Sequence, residues 1–281
     1  MSADLSQLDA RPVAPEGPFE GETPFAVLTL MTDAAAYAEM VESFRSRGFD
    51  AARCAFLYGD NRAGNAFDGY SGLTRMIAAA RARYVILAHQ DVRAEFDDAD
   101  TLLARLEALE AAHPDWAVAG NAGRQGEDYH LHISDPVGED RRMGRLPHPV
   151  EALDENFLVL KRESLVAPSV DLQGFHLYGL DLVQNARARG YGAYAIDFHL
   201  RHLSRGTIDR SYLAAVDAYE RKHARLMRPR MLRSLNSPVY LTPNRVGRLR
   251  WLRTMLGHRK HLRWQLEQSA AQTTLEATHP E

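Results

Sequence analysis

Cysteine is almost absent: Cys54 stands alone in 281 residues. One thiol excludes an intrachain disulfide and any cysteine-ligated metal knuckle. It lies in the apolar run 54–58, where a small buried hydrophobe is the expected role. Long apolar runs are missing too. No stretch approaches the roughly 18 apolar residues of a membrane span. The segment Met1-Ser2-Ala3-Asp4 has neither the basic region nor the apolar stretch of a signal peptide. A phosphate-cradling Gly-x-x-x-x-Gly-Lys-Ser/Thr loop, a His-Glu-x-x-His zinc helix and a Gly-x-Ser-x-Gly nucleophile turn are all lacking, and no internal repeat is seen. Residues 190–195 satisfy a Gly-x-Gly-x-x-Ala pattern, but they precede a strand instead of opening a helix, which excludes a dinucleotide fingerprint there. The net charge of −3 gives no reason to expect a nucleic-acid partner. These absences point to a cytoplasmic protein.

What remains is an alternation of strand and helix signals. Residues 1–22 are polar, rich in Pro, Gly and acidic groups and without sustained period, and are expected to be a flexible tail. Short apolar runs at 25–30, 53–58, 84–88 and 116–120 predict buried strands. Between them, helical spacing predicts helices over about 33–47, 67–83 and 98–112. Asp33 is placed to cap the first of these and Gly48 to end it. Alternation of this kind predicts parallel strands with helices on both faces, and such sheets bind ligands at the carboxyl ends of their strands. From 129 to 162 the pattern changes to short strands and turns, the clearest at 156–160. A helix near 178–189, ended by Gly190, and a strand over 191–197 follow. Beyond Asp209 the chain reads as helical to about Ala271, with breaks at prolines.

Three strings carry chemistry. In Tyr84-Val85-Ile86-Leu87-Ala88-His89-Gln90-Asp91-Val92 a buried strand delivers His89 and Asp91 at its carboxyl end. Two-residue spacing on extended chain turns both side chains the same way. A carboxylate there can hold a divalent cation against a diphosphate; the alternative is that Asp91 caps a loop and His89 packs. In Gly174-Phe175-His176-Leu177-Tyr178-Gly179-Leu180-Asp181, Asp181 falls in the first turn of a predicted helix. It is either a general base or a partner for the helix dipole. In His199-Leu200-Arg201-His202, His202 is either a metal ligand or a structural imidazole.

Together with Asn65-Ala66-Phe67-Asp68, Gly120-Asn121-Ala122-Gly123, Leu153-Asp154-Glu155 and His202-Leu203-Ser204, these strings resemble the GT-A glycosyltransferases of the family-2 type. The match is to the streptomycin-biosynthesis-like glycosyltransferase domain, over roughly residues 25–210. The resemblance implies an α/β fold with a GT-A type nucleotide-binding sheet, an enzyme, and transfer of a sugar from a nucleotide-sugar donor to a saccharide or lipid-linked acceptor, with inversion. It implies a divalent cation, Mn²⁺ or Mg²⁺, held by Asp91 and His202. His89 stands where relatives carry the first acid of an Asp-x-Asp motif, a departure from the family pattern. Asp181 occupies the position of the catalytic base. Asp60 matches a nucleoside contact, and Asn65, His89, Asp91, Asp154 and Glu155 complete the donor-binding set. A nucleotidyltransferase or a non-catalytic nucleotide-binding scaffold are the competing readings.

The implied catalytic domain covers 23–208, leaving 209–281 as a basic extension. From Arg221 to Arg263 there are thirteen Arg or Lys and no Asp or Glu, so the rest of the chain carries 21 basic against 37 acidic groups, a charge of −16. Val246, Leu249, Leu252, Met255 and Leu256 fall near one helical face. A basic amphipathic helix of this kind docks either on an anionic membrane surface or on an acidic face of this chain or of a second copy, as a homo-oligomer.

Overall fold

The computed structural model describes residues 10–12, 23–206, 208–224, 230–235, 238–241 and 249. The chain divides into two compact units, Met1–Arg205 and Gly206–Glu281.

In the first unit, β1 (Ala10–Pro12), β2 (Thr23–Met31), α1 (Ala34–Ser46), β3 (Cys54–Asp60), α2 (Ser71–Ala79), β4 (Ala82–Ala88), β5 (Val92–Arg93), α3 (Ala99–Ala112) and β6 (Trp116–Gly120) follow in order. The helix starts follow the sequence. Asp33 accepts hydrogen bonds from the amides of Ala35 and Ala36, and Asp98 accepts from Thr101. Each satisfies donors that a first helical turn leaves unpaired. Gly48, at φ +80°, ends the first helix in a conformation glycine adopts without strain. The strip Ala10–Pro12, within the expected tail, pairs in parallel with β3.

The chain then builds β7 (Ala122–Gln125), β8 (Asp128–Asp135), β9 (Gly138–Met143), β10 (His148–Pro149) and β11 (Ala152–Leu153). It returns through β12 (Phe157–Lys161), α4 (Tyr178–Ala188), β13 (Gly192–Ala195) and β14 (Leu200–His202). The main sheet has the order β1-β3-β2-β4-β12-β6-β13-β10, and a second sheet has the order β11-β7-β8-β14-β5 with β9 on β8. The fold is thus α/β with a mixed sheet. The expectation of parallel strands fails at β12, which runs antiparallel to both β4 and β6. It is reached through the second sheet and not through a crossover helix, so nothing compels it to run parallel.

The core lies between the main sheet and its helices. Phe25, Phe44, Phe49, Phe56, Tyr84, Trp116 and Phe157 are all buried. Each buried side chain of this size contributes about 1.5–3 kcal/mol of transfer free energy. Cys54 is buried in the same cluster, and loss of hydration pushes its thiol far above the usual range. It is a packing residue, as the apolar run around it predicts.

The second unit contains α5 (Arg210–His223), capped by Asp209, and an antiparallel hairpin of β15 (Arg230–Arg233) and β16 (Pro238–Leu241). The expectation of helix interrupted only at prolines fails at this hairpin. Alternation in the burial of Pro238–Leu241, with Val239 and Leu241 inside, selects a strand. Most of the basic amphipathic stretch lies outside the described residues. Among those described, no helix is long and apolar enough to cross a membrane.

Candidate functional site

β4 ends at Ala88, and the chain turns at once. The amide of His89 donates to the carbonyl of Asn156, and that of Val92 donates to the carbonyl of His89. Gln90 braces the turn from outside. Its Oε1 accepts from the amides of Thr32 and Asp33 at 2.9 and 3.0 Å, and its Nε2 donates to Thr32 Oγ1 at 2.8 Å. The ends of β2 and β4 are thereby tied together. β5 then pairs antiparallel with β14, placing His202 opposite Val92. This pairing carries His202 to Asp91, 111 positions away in sequence.

The result is a cluster at the carboxyl edge of the main sheet. One ligand-type atom from each of His89, Asp91 and His202 lies within 4.8 Å of the others. Asp91 Oδ1 is 3.4 Å from His202 Nε2 and 3.9 Å from His89 Nδ1. His89 Nε2 is 3.0 Å from the hydroxyl of Tyr178, which donates to the carbonyl of Glu155 at 3.2 Å. That contact leaves Nδ1 of His89 facing the carboxylate.

The protonation states differ by position. Loss of hydration, reinforced by the neighbouring His202, lowers the pKa of His89. His202 suffers the same loss of hydration, but its contact with Asp91 and the charge of Asp154 raise its pKa. Burial opposes ionisation of Asp91, yet the hydrogen bond and charge of His202 hold its carboxyl well below the usual range. Asp91 is therefore an anion at neutral pH, and His89 a neutral imidazole.

Glu155 completes the surroundings. Gly179 lets the start of α4 approach the 153–155 segment. A Cβ at this glycine would sit 2.5 Å from the carbonyl oxygen of Leu153 and 3.1 Å from Cγ of Glu155. The amide of Gly179 donates to Glu155 Oε1 at 3.2 Å. Loss of hydration and the charge of Asp154 nevertheless raise the Glu155 carboxyl to about 8, against the opposing pull of the helix amides. A carboxyl tuned to near neutrality, in a segment that Tyr178 ties to His89, is a signature of functional sites. Asp154 itself accepts from the amide and side chain of Asn156 at 2.9 and 2.6 Å.

Other predicted residues fall elsewhere. Asp60, at the end of β3, is held by Arg62 through two side-chain hydrogen bonds of 3.0 and 2.7 Å. Asn65 is exposed in the loop before α2. Asp181 requires correction. It has no exposed surface. Its carboxyl accepts from the amide of Ser169 at 2.7 Å, the hydroxyl of Ser169 at 2.9 Å and Asn185 at 3.0 Å. With no surface open to an acceptor hydroxyl, it fastens the 167–172 loop to α4 and is not placed as a base would be.

Two residues escaped the sequence reading. Tyr178 orients His89, and its only signal was a place in the string 174–181. Asn121 follows β6 and is fully buried, with neither side-chain atom hydrogen-bonded. A buried amide in that state calls for an unseen partner.

No family model matches the chain, so the glycosyltransferase resemblance rests on the motifs themselves. Among solved structures, A197 from STIV is similar at a TM-score of 0.37 and 11% identity, over 62% of this chain and 82% of that one. A protein of Fuscovulum blasticum described as ATP synthase subunits region ORF 6 is 42% identical over 224 residues, which span 77% of this chain and 90% of the relative. At that identity and coverage, the chain belongs to the family of the ATP synthase subunits region ORF 6 protein.

Proposed function

We propose that the protein is a glycosyltransferase of GT-A type that moves a sugar from a nucleotide-sugar donor to an acceptor hydroxyl. The observation that supports this is the convergence of His89, Asp91 and His202 at the carboxyl edge of the sheet, with Tyr178 tying His89 to the segment whose Glu155 carboxyl is tuned to about 8.

The donor set is two imidazoles and one carboxylate. It suits a borderline cation such as Mn²⁺ better than Mg²⁺, which prefers an all-oxygen shell. Asp91, His89 and His202 would hold the ion, and when bound it supplies charge neutralisation for a leaving diphosphate. Tyr178 fixes the ring of His89 so that its remaining nitrogen faces the ion's place, as outer partners of metal-binding histidines do. Glu155 takes the role first given to Asp181. It accepts the proton of the acceptor hydroxyl as that oxygen bonds to the anomeric carbon and the bond from that carbon to the diphosphate breaks. A pKa near the working pH suits a general base, which must first be ionised and then bind the proton firmly. The basic stretch from Arg221 supports an acceptor carried on an anionic lipid surface.

A panel of UDP-, GDP- and dTDP-sugars tests this by release of nucleoside diphosphate, with and without Mn²⁺. One donor should turn over in a Mn²⁺-dependent way, and Asp91→Ala should abolish it. Thermal stabilisation by nucleoside diphosphates without turnover of any donor would instead favour a non-catalytic nucleotide-binding protein.

A further inference from the structure

A second group of histidines stands apart from the site above. β8 pairs with β14 in parallel, matching Leu200 with Ile133. This brings His199, just ahead of β14, beside His132 on β8. Their rings stack, with centroids 4.2 Å apart and planes 17° from parallel. Phe96 stacks on His199 at 3.8 Å and also lies beneath the guanidinium of Arg201, 5.4 Å from its ring centre. His199 and Arg201 thus share one face of the strand, and alternation sends His202 to the other. The two histidine groups lie on opposite faces of the second sheet, three residues apart on one segment, or about 10 Å at an extended rise.

Each ring has one nitrogen anchored outside the group and the other turned to Asp140, with His132 Nε2 hydrogen-bonded to it. His132 Nδ1 is 2.7 Å from Asp197 Oδ1. The other oxygen of Asp197 is taken by Arg142 at 2.6 Å and approached by Arg105 at 3.5 Å, so this carboxylate is fully committed to orienting the ring. His199 Nε2 is 2.9 Å from the hydroxyl of Ser134, which is fully buried and also accepts from the amide of Asp140. The remaining nitrogens, His132 Nε2 and His199 Nδ1, face one atom, Asp140 Oδ1, at 2.9 and 3.9 Å. Asp140 reaches this place through a backbone φ of +44°, uncommon outside glycine. Its side chain is three-quarters exposed, so the place between the three groups is open to solvent.

We propose that His132, Asp140 and His199 form a second metal site, one that takes a borderline first-row dication such as Zn²⁺. Metal-bonded histidines characteristically donate their far nitrogen to a carboxylate or another fixed acceptor, and both rings here have such a partner in place. Two nitrogens and one oxygen, with no thiolate available, suit Zn²⁺, Ni²⁺ or Co²⁺ and disfavour Mg²⁺ and Ca²⁺. At metal–ligand bonds of about 2.0–2.2 Å, Asp140 and His199 must draw together from 3.9 Å and the stacked rings must tilt so that both in-plane lone pairs meet the ion, and Asp140 is on the exposed side. Three protein ligands leave a fourth position for water.

Titration of the full chain with Zn²⁺ by calorimetry tests the assignment. Asp140→Asn removes the carboxylate while keeping a residue that tolerates a left-handed backbone. The proposal expects Asp140→Asn and His132→Gln each to weaken one Zn²⁺ site by at least the roughly 10–100-fold that loss of an outer partner alone brings. His202→Ala should leave that site intact. Variants that bind Zn²⁺ with wild-type number and affinity would overturn it. Backbone hydrogen exchange of the unmutated protein decides independently of folding in the variants. Slower exchange in the 132–140 peptide at saturating Zn²⁺ supports the site, and unchanged exchange there refutes it.

Discussion

Two carboxyl groups meet the first turn of α4 and end in opposite conditions. Asp181 belongs to the helix and points into the protein, where three donors from Ser169 and Asn185 take it up. Glu155 comes from the neighbouring segment and reaches the helix start from the sheet edge. It gains the Gly179 amide, but loss of hydration and the charge of Asp154 raise its pKa to about 8. The first is a fastening and the second a group that titrates near neutrality. A carboxyl in a helical first turn is therefore no guide to chemistry until its surroundings are known.

The sharpest way to break the comparison is to remove Asp181. Asp181→Ala takes the acceptor from the part-buried amide and hydroxyl of Ser169, while Asn185 keeps Ala167 and Ser169, and should cost about 3–5 kcal/mol of stability, read as a lower midpoint in urea with unchanged slope. The folded fraction should still bind nucleoside diphosphate at wild-type affinity. Full stability together with lost turnover would restore Asp181 as the base. A smaller loss is expected from Gly179→Ala. Its new Cβ would press on the carbonyl of Leu153 and on Glu155, at a cost of about 1–3 kcal/mol. It should also slow donor turnover by moving Glu155 off the helix start, and an unaffected rate would separate Glu155 from the chemistry.

Much of this was legible beforehand. Asp33 caps the helix that its position promised, and the runs ending at Tyr58, Ala88 and Gly120 are buried strands. His89, Asp91 and His202 were singled out and do converge. What stayed hidden depended on pairing at long range. The run 156–160 reads as a strand, but only the tertiary fold inserts it between β4 and β6. His132 and His199 become neighbours through β8 and β14, a register that no local pattern encodes. The phase of α4 was unreadable for a different reason. Tyr178 through Gln184 are all buried, so the helix has no polar face in its first two turns to show which way Asp181 turns.

The finest test of the comparison is the titration of Glu155. In an unfolded chain a glutamate ionises near pH 4.3, whereas the folded protein keeps this proton to about pH 8. Between those values the native state binds a proton that the unfolded state has released. The contribution of Glu155 to stability is therefore fully present below about pH 4 and is lost progressively as pH rises to 8. Glutamine has nearly the same shape, can still accept from the Gly179 amide and does not titrate. Glu155→Gln should accordingly melt close to wild type at pH 5 and a few degrees above it at pH 8, in metal-free protein. Asp181→Asn serves as the contrast, because its carboxyl is satisfied by fixed donors inside the protein. That variant should melt below wild type at both pH values. A Glu155→Gln advantage that does not grow with pH would mean that the carboxyl is ordinary, and the case for it as the base would fall with it.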